Sequence, residues 1–222
     1  WSFEETQRPG GGPYTLIVSA DGQYVGGIVE LADPTDGADY SRWLGYYAVP
    51  AVDDAVTATR DAGGEVIVSA QNLANVARVA AVQDPEGAVF GLITSWVGFP
   101  TDRAVPGNGE IVLNELFAAD PSSMANFYSG LSSNMVEQTI RRGNTYYVLQ
   151  DEGLDRASIM QRPDSQLKPL WLTYFASNDA AEGADQAASL GGTVILAPDD
   201  DIRGGRIALV QDPSGAIFGL QG

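Results

Sequence analysis

The chain contains no cysteine and no histidine. The first absence excludes disulfides, thiolate nucleophiles and cysteine-based zinc sites, and it fits any redox compartment. The second removes the base of the usual serine triad and the commonest side-chain ligand of catalytic metals. Lysine is nearly missing: Lys168 stands alone beside 11 arginines. No apolar run approaches the roughly 18 to 20 residues of a membrane helix, so no membrane insertion is expected. Nor does Trp1-Ser2-Phe3-Glu4-Glu5-Thr6 resemble a basic then apolar leader. With 12 Lys and Arg against 29 Asp and Glu, the formal charge is −17. Such a surface repels phosphate backbones and anionic membranes, so no nucleic acid partner is expected. The acid bias and the missing cysteine tip the expected location outward, to a periplasmic or extracellular setting after removal of an export signal, with the cytoplasm as the alternative.

What the chain does have is a repeat at a fixed offset of 128 residues. Trp43-Leu44 recurs as Trp171-Leu172, Tyr46 as Tyr174, Gly63-Gly64 as Gly191-Gly192 and Arg78 as Arg206. Val82-Gln83-Asp84-Pro85-Glu86-Gly87-Ala88-Val89-Phe90-Gly91-Leu92 recurs as Val210-Gln211-Asp212-Pro213-Ser214-Gly215-Ala216-Ile217-Phe218-Gly219-Leu220. No gap is needed, so the halves are copies of one fold unit. In each copy a helix, expected from Val52 through about Ala62 in the first, ends at the Gly-Gly pair. Asp84-Pro85-Glu86-Gly87 and its copy fit type I turns joining antiparallel strands. The most economical parse is strand-helix-strand-strand-strand, performed twice. The division expected is a first domain over 1–97, a linker rich in Pro, Gly and charge over 98–109, and a second domain over 110–222.

The two copies do not start at the same point. Phe3-Glu4-Glu5-Thr6 resembles Val136-Glu137-Gln138-Thr139, so Trp1 pairs with about Asn134. The stretch 110–133 holds a strand-like Ile111-Val112-Leu113-Asn114-Glu115-Leu116-Phe117 and a helix opening at Asp120-Pro121, with Met124, Phe127, Tyr128 and Leu131 on one face. The first copy shows no counterpart. The natural protein is expected to begin that much earlier, with the segment cleaved, disordered or left out; alternatively a partner strand or a homodimer completes the first domain.

Helix, Gly-Gly, strand and then Asp-Pro-x-Gly-Ala-x-Phe-Gly-Leu resembles the glyoxalase/bleomycin-resistance/extradiol-dioxygenase group, the vicinal oxygen chelate superfamily. Val112-Leu113-Asn114-Glu115-Leu116-Phe117-Ala118-Ala119-Asp120-Pro121, followed by Ala125-Asn126-Phe127-Tyr128, looks like that group's first strand and helix. The resemblance implies an α+β fold: tandem glyoxalase-like domains, each pairing βαβββ modules into an open, U-shaped barrel around a cleft, with the first module incomplete. Metal-dependent members carry His or Glu on the first and last strands of each module. Those positions fall here on Glu30, Leu44 and Gly91 in the first domain, and on Leu113, Gln161, Leu172 and Gly219 in the second. A catalytic first-row metal needs about three N, O or S ligands from the protein. Glu30 is the one strong ligand among these positions, so no metal and no other cofactor is expected.

Strand alternation puts residues two apart on one face, so a cleft-facing Leu113 brings Glu115 and Phe117 with it. The second cleft is expected to present Glu115, Gln161 and Tyr174 among Leu113, Phe117, Ile159, Leu172 and Ile217. The first is expected to present Glu30 and Tyr46. The ligand-binding set is thus Tyr46, Leu113, Glu115, Phe117, Gln161, Leu172 and Tyr174, with Glu115 and Glu30 the candidate catalytic bases. Each has a plainer reading. A cleft Glu is more often a structural partner, and Tyr46 and Tyr174, kept in both copies, are more often fold residues. Trp43 and Trp171 read as packing residues, and Arg78 and Arg206 as surface ion-pair partners. Asp199-Asp200-Asp201 lacks the alternate spacing of a calcium loop and reads as a solvated loop. The residues favour a non-metallo, glyoxalase-like protein that binds a small, partly apolar or aromatic molecule without turning it over. A metal-independent lyase, isomerase or hydrolase using a cleft Glu is the alternative, and a structural or interaction module with filled clefts the third.

Overall fold

A computed structural model describes residues 1–7, 12–30, 41–73, 75–99, 105–132, 135–141, 143–151 and 153–222. In chain order the strands and helices are β1 (Ser2–Gln7), β2 (Pro13–Val18), β3 (Tyr24–Ile28), β4 (Tyr46–Ala48), α1 (Val52–Asp61), β5 (Glu65–Leu73), β6 (Ala77–Gln83) and β7 (Val89–Ser95). There follow β8 (Ile111–Ala118), α2 (Pro121–Leu131), β9 (Met135–Arg141), β10 (Asn144–Asp151), β11 (Leu154–Gln161), β12 (Leu170–Ala176), α3 (Ala180–Ser189), β13 (Thr193–Leu196), β14 (Ile207–Gln211) and β15 (Ile217–Gln221). Strand-helix-strand-strand-strand thus occurs three times, over β4 to β7, β8 to β11 and β12 to β15. The described residues among 1–28 supply three strands and no helix. Packing divides the chain into two compact units: Leu44–Thr101 with Leu113–Trp171, and Trp1–Trp43 with Asp102–Val112 and Leu172–Gly222. These units are defined by packing, whereas the expected boundaries at 97 and 110 run along the repeat. Part of the expected linker, 100–104, lies outside the described residues.

The unit built on Leu44–Thr101 and Leu113–Trp171 holds two complete modules. In one, the strand order is β4-β7-β6-β5; in the other, β8-β11-β10-β9. The opening strand of each module lies parallel to its closing strand, Tyr46 beside Gly91 and Glu115 beside Ser158, while the hairpins are antiparallel. Parallel neighbours need a crossover, and α1 and α2 provide it. Asp120 caps α2, its side chain accepting from the Ser123 amide at 3.1 Å, with Pro121 as the first helical residue. Helix α1 stops where expected: Gly63 takes φ +90°, and a Cβ on Gly64 would stand 2.4 Å from the Gln83 carbonyl.

Both helices turn apolar faces to one core. Val52, Ala55 and Val56 of α1, and Met124, Phe127, Tyr128 and Leu131 of α2, are buried with Val82, Phe90, Leu92, Leu116, Leu149 and Ile159. Tyr128 stands at its centre. Its ring meets Tyr47, Phe90, Phe127 and Trp171 edge-on, with centroids 4.9 to 5.9 Å apart. Its hydroxyl donates to Asp84 Oδ2 at 2.9 Å and accepts from Trp171 Nε1 at 2.8 Å. The Tyr47 hydroxyl lies 3.1 Å from the Tyr128 carbonyl, to which it donates. The other Asp84 oxygen accepts from the amides of Glu86 and Ala88, closing the β6–β7 turn. Glu86 of that turn accepts in addition from the amides of Ala119 and Asp120, at the head of α2. The expected type I turn is therefore also the joint between the modules.

The unit built on Trp1–Trp43, Asp102–Val112 and Leu172–Gly222 holds the module ordered β12-β15-β14-β13 and the three-stranded sheet β1-β2-β3. Helix α3 covers the former through Ala180 and Ala184, packed on Ala208 and Val210. Trp1, Trp43, Phe175 and Phe218 form its aromatic cluster. The sheets are open rather than closed on themselves, and the fold is α+β throughout.

Burial holds the Asp84 carboxyl above its ordinary value of 3.8, against three hydrogen bonds that favour its charge. A folded value above the unfolded one means that the folded chain holds the proton more tightly. The stability Asp84 contributes is therefore full below 3.8 and is lost as pH rises through the raised folded value. Measured as urea midpoints against pH, wild type should lose ground to the non-titrating Asp84→Asn variant across that window. A difference that stays flat would contradict the assignment. Tyr128→Phe keeps the ring and removes both hydroxyl bonds, and should lower the unfolding free energy by about 2 kcal/mol.

Candidate functional site

Register decides what each strand of the β8–β11 module presents. Glu115 pairs with Ser158, Phe117 with Met160 and Ala118 with Gln161. Leu116, Ala118, Leu149 and Ile159 belong to the core under α2. Leu113, Glu115, Phe117, Ser158 and Met160 therefore share the opposite face, together with Val148, which pairs with Ser158. Glu115 is 1% exposed and accepts a hydrogen bond from Ser158 Oγ at 3.0 Å. Phe117 and Val148 are buried, and Leu113 and Met160 half-buried. The face is an apolar floor with one carboxylate and one hydroxyl set into its centre.

Gln161 does not join it. Its pairing with Ala118 puts it on the α2 side, as it does Ile159, and its amide donates to the carbonyls of Ala118 and Ala119. The expectation that Glu115, Gln161 and Ile159 look into one cleft is corrected by the register, which sends them to opposite faces. Gln161 instead borders a shallow, polar cavity of about 360 Å³ at the head of α2, with Asp120, Ser122, Gln138, Asn144 and Tyr147. Glu30 is exposed and lies outside any strand.

Tyr46 and Tyr174 are placed by one device in two units. Tyr46 pairs with Gly91 across β4 and β7, and Tyr174 with Gly219 across β12 and β15. Each ring lies over its glycine so closely that a Cβ on Gly91 would come within 2.4 Å of Tyr46, and one on Gly219 within 2.1 Å of Tyr174. Tyr174 is 1% exposed and also lies under Arg203, whose guanidinium carbon is 5.4 Å from the ring centroid. Leu172, two residues earlier, is equally buried; Tyr46 is 51% exposed.

These glycines occupy the closing-strand positions at which metal-dependent relatives of the resembling group carry a ligand. The tyrosine rings already fill the space that a ligand side chain needs, Leu113 and Leu172 have no donor atom, and Glu30 is exposed just past the end of β3. Among the described residues, no group of three Asp or Glu side chains is placed to hold a metal ion. The residues present do not fit the group's metal. Arg78 meets its expected fate in a two-pronged pair with Asp53, at 2.6 and 2.7 Å, which holds that carboxyl below its ordinary value. The partners that sequence reasoning missed, Ser158 and Asp84, are legible only through register and through the packing of α2.

No family model matches the chain. Among solved structures, the Mn(II)-bound glyoxalase of Novosphingobium aromaticivorans aligns with 79% of this chain and 60% of its own, at a TM-score of 0.50 and 14% identity. This chain thus spans less than two thirds of that protein, and the likeness is one of fold. In sequence, CFP32 of Mycobacterium tuberculosis, named as a candidate glyoxylase, is 31% identical over 225 residues, covering 99% of this chain and 84% of the relative. The anthracycline biosynthesis protein DauV of Streptomyces sp. strain C5 is 28% identical over 233 residues, covering 99% and 83%. The chain belongs to the glyoxalase-like vicinal oxygen chelate superfamily.

Because Tyr174 is enclosed and Tyr46 can swing toward solvent, the equivalent glycines should respond unequally. Gly219→Ala is expected to cost about 2 to 3 kcal/mol in denaturant unfolding, and Gly91→Ala about 1 kcal/mol or less. Equal costs would mean that the two rings are not held as described.

Proposed function

We propose that the protein binds a small, partly apolar or aromatic molecule, without a metal, on the β8–β11 face that carries Glu115 and Phe117. The observation behind this reading is the Glu115 carboxylate, enclosed at 1% exposure and held by Ser158 between Leu113 and Phe117. Apolar walls with a few fixed polar groups are the usual composition of a small-molecule site. A ring on Phe117 and the thioether of Met160 suit a planar ligand, while Glu115 and Ser158 suit a ligand hydroxyl or carbonyl. A sequence without His or Cys supports handling the ligand through these side chains alone. The name of the Streptomyces relative suggests the class of probe, a fused aromatic ring system of the anthracycline type.

The same enclosed carboxylate favours one second reading, in which Glu115 is the general base of a lyase or isomerase reaction. Titration of a soluble anthraquinone, followed by quenching of tryptophan fluorescence and by equilibrium dialysis, tests the first. Binding should survive a chelator and weaken about tenfold in Phe117→Ala, with folding checked by circular dichroism. Undiminished binding in that variant would place the ligand elsewhere. Glu115→Gln separates the two readings: a binding protein loses affinity with no turnover to lose, whereas an enzyme keeps its ligand and stops converting it.

A further inference from the structure

The cavity at the head of α2 lies on the opposite side of the β8–β11 sheet from the Glu115 face, and the proposed function makes no use of it. Register assembles it. Tyr147 of β10 pairs with Gln138 of β9 and with Ile159 of β11, while Thr145 stands two residues before Tyr147 and Gln161 two residues after Ile159. Ile159 belongs to the core under α2, so Gln138, Thr145, Tyr147 and Gln161 all stand on the side that α2 covers. Helix α2 begins only at Pro121, and Asp120 and Ser122 at its head line the cavity from the helix side. Asn144, at the β9–β10 turn, lines it as well.

These side chains keep hydrogen-bonding capacity of both kinds. Gln161 donates through Nε2 to the Ala118 and Ala119 carbonyls, which leaves its Oε1 as an acceptor. Asp120 takes the Ser123 amide on Oδ1 and keeps Oδ2. The side chains of Gln138, Asn144 and Thr145 bond to no described group, whereas Gln150, farther along β10, commits its amide to Glu137 and Asp155. Each uncommitted amide offers two donors and one acceptor. Tyr147 adds an apolar element: it packs against the core, is half-buried and lines the cavity. Asp120 is the one charged residue in the lining, and the volume is about 360 Å³. That size lies near the lower end of the roughly 300 to 1,000 Å³ of small-molecule sites.

Uncharged amides beside an aromatic ring match one ligand chemistry. A pyranose carries hydroxyls that donate and accept at once, and its C–H face gains by leaving water against an aromatic surface. Its outer hydroxyls stay hydrated in a shallow site. Phosphate or sulfate would meet the Asp120 carboxylate with no lysine or arginine in the described lining, on a chain of formal charge −17. A purely apolar ligand would strip water from the amides and leave them unpaired.

We propose that this cavity is a second binding site, for a neutral polyhydroxylated ligand the size of a single pyranose. Gln138 and Asn144 bond its hydroxyls, Asp120 Oδ2 and Gln161 Oε1 accept from others, and Tyr147 takes its C–H face. The site shares no residue with the Glu115 face, so either can exist without the other.

Saturation-transfer difference NMR on the 222-residue chain, with the methyl glycosides of glucose, galactose and mannose as probes, tests this. At least one glycoside should receive saturation, bind with Kd on the order of 1 mM, and shift the side-chain amide signals of Gln138 and Asn144. Gln138→Ala and Asn144→Ala, both at exposed positions, should each weaken that binding about fivefold, the loss of one hydrogen bond. Phe117→Ala, once shown to be folded by circular dichroism, should leave it unchanged. No saturation of any of the three at about 50 mM would overturn the proposal. So would binding that neither alanine variant weakens, or an equal loss in Phe117→Ala, which would put the sugar on the Glu115 face. Inorganic phosphate that moves the Gln138 and Asn144 signals where the glycosides do not would also overturn it, in favour of an anion at the helix head.

Discussion

The hydroxyl of Tyr128 is the point on which one unit is assembled. It joins the β6–β7 turn at Asp84, the helix α2 that carries it and the start of β12 at Trp171, so a single oxygen ties three segments distant in sequence. Such a bond is stronger for its burial and costlier to leave unmade. Desolvation raises the hydroxyl's pKa well above 10.0 and keeps it a donor at every ordinary pH. Around it the edge-on rings of Tyr47, Phe90 and Phe127 leave little room for another arrangement.

The second constraint, a tyrosine laid over a glycine on the neighbouring parallel strand, appears once in each unit. It accounts for Gly91 and Gly219 on the closing strands, where any side chain would collide with the rings of Tyr46 and Tyr174. The fold is therefore retained while, among the described residues, no group of three acidic side chains is placed to hold a metal ion.

The repeat made much of this legible. The fixed offset, the Gly-Gly helix stops and the Asp-Pro-x-Gly turns gave the module pattern, and Asp120-Pro121 marked the head of α2 to the residue, because capping and turn chemistry are local. Alternation along β8 grouped Leu113, Glu115 and Phe117 correctly. Gln161 was misgrouped because a strand's face is fixed by its partner, and the pairing of β11 with β8 is not written in either strand. Asp84 read as a turn residue, which it is; that its second oxygen serves Tyr128, 44 positions away, required α2 to be packed on the neighbouring module.

By itself, then, the sequence determined the class of fold, the kind of module and its repetition, and the lack of His and Cys ligands. These follow from composition, period and local backbone preference. Only the tertiary structure decided that Ser158 holds Glu115 and that Tyr46 and Tyr174 fill the space over Gly91 and Gly219. Those facts depend on which strand lies beside which and which ring lies over which backbone, and long-range packing settles both.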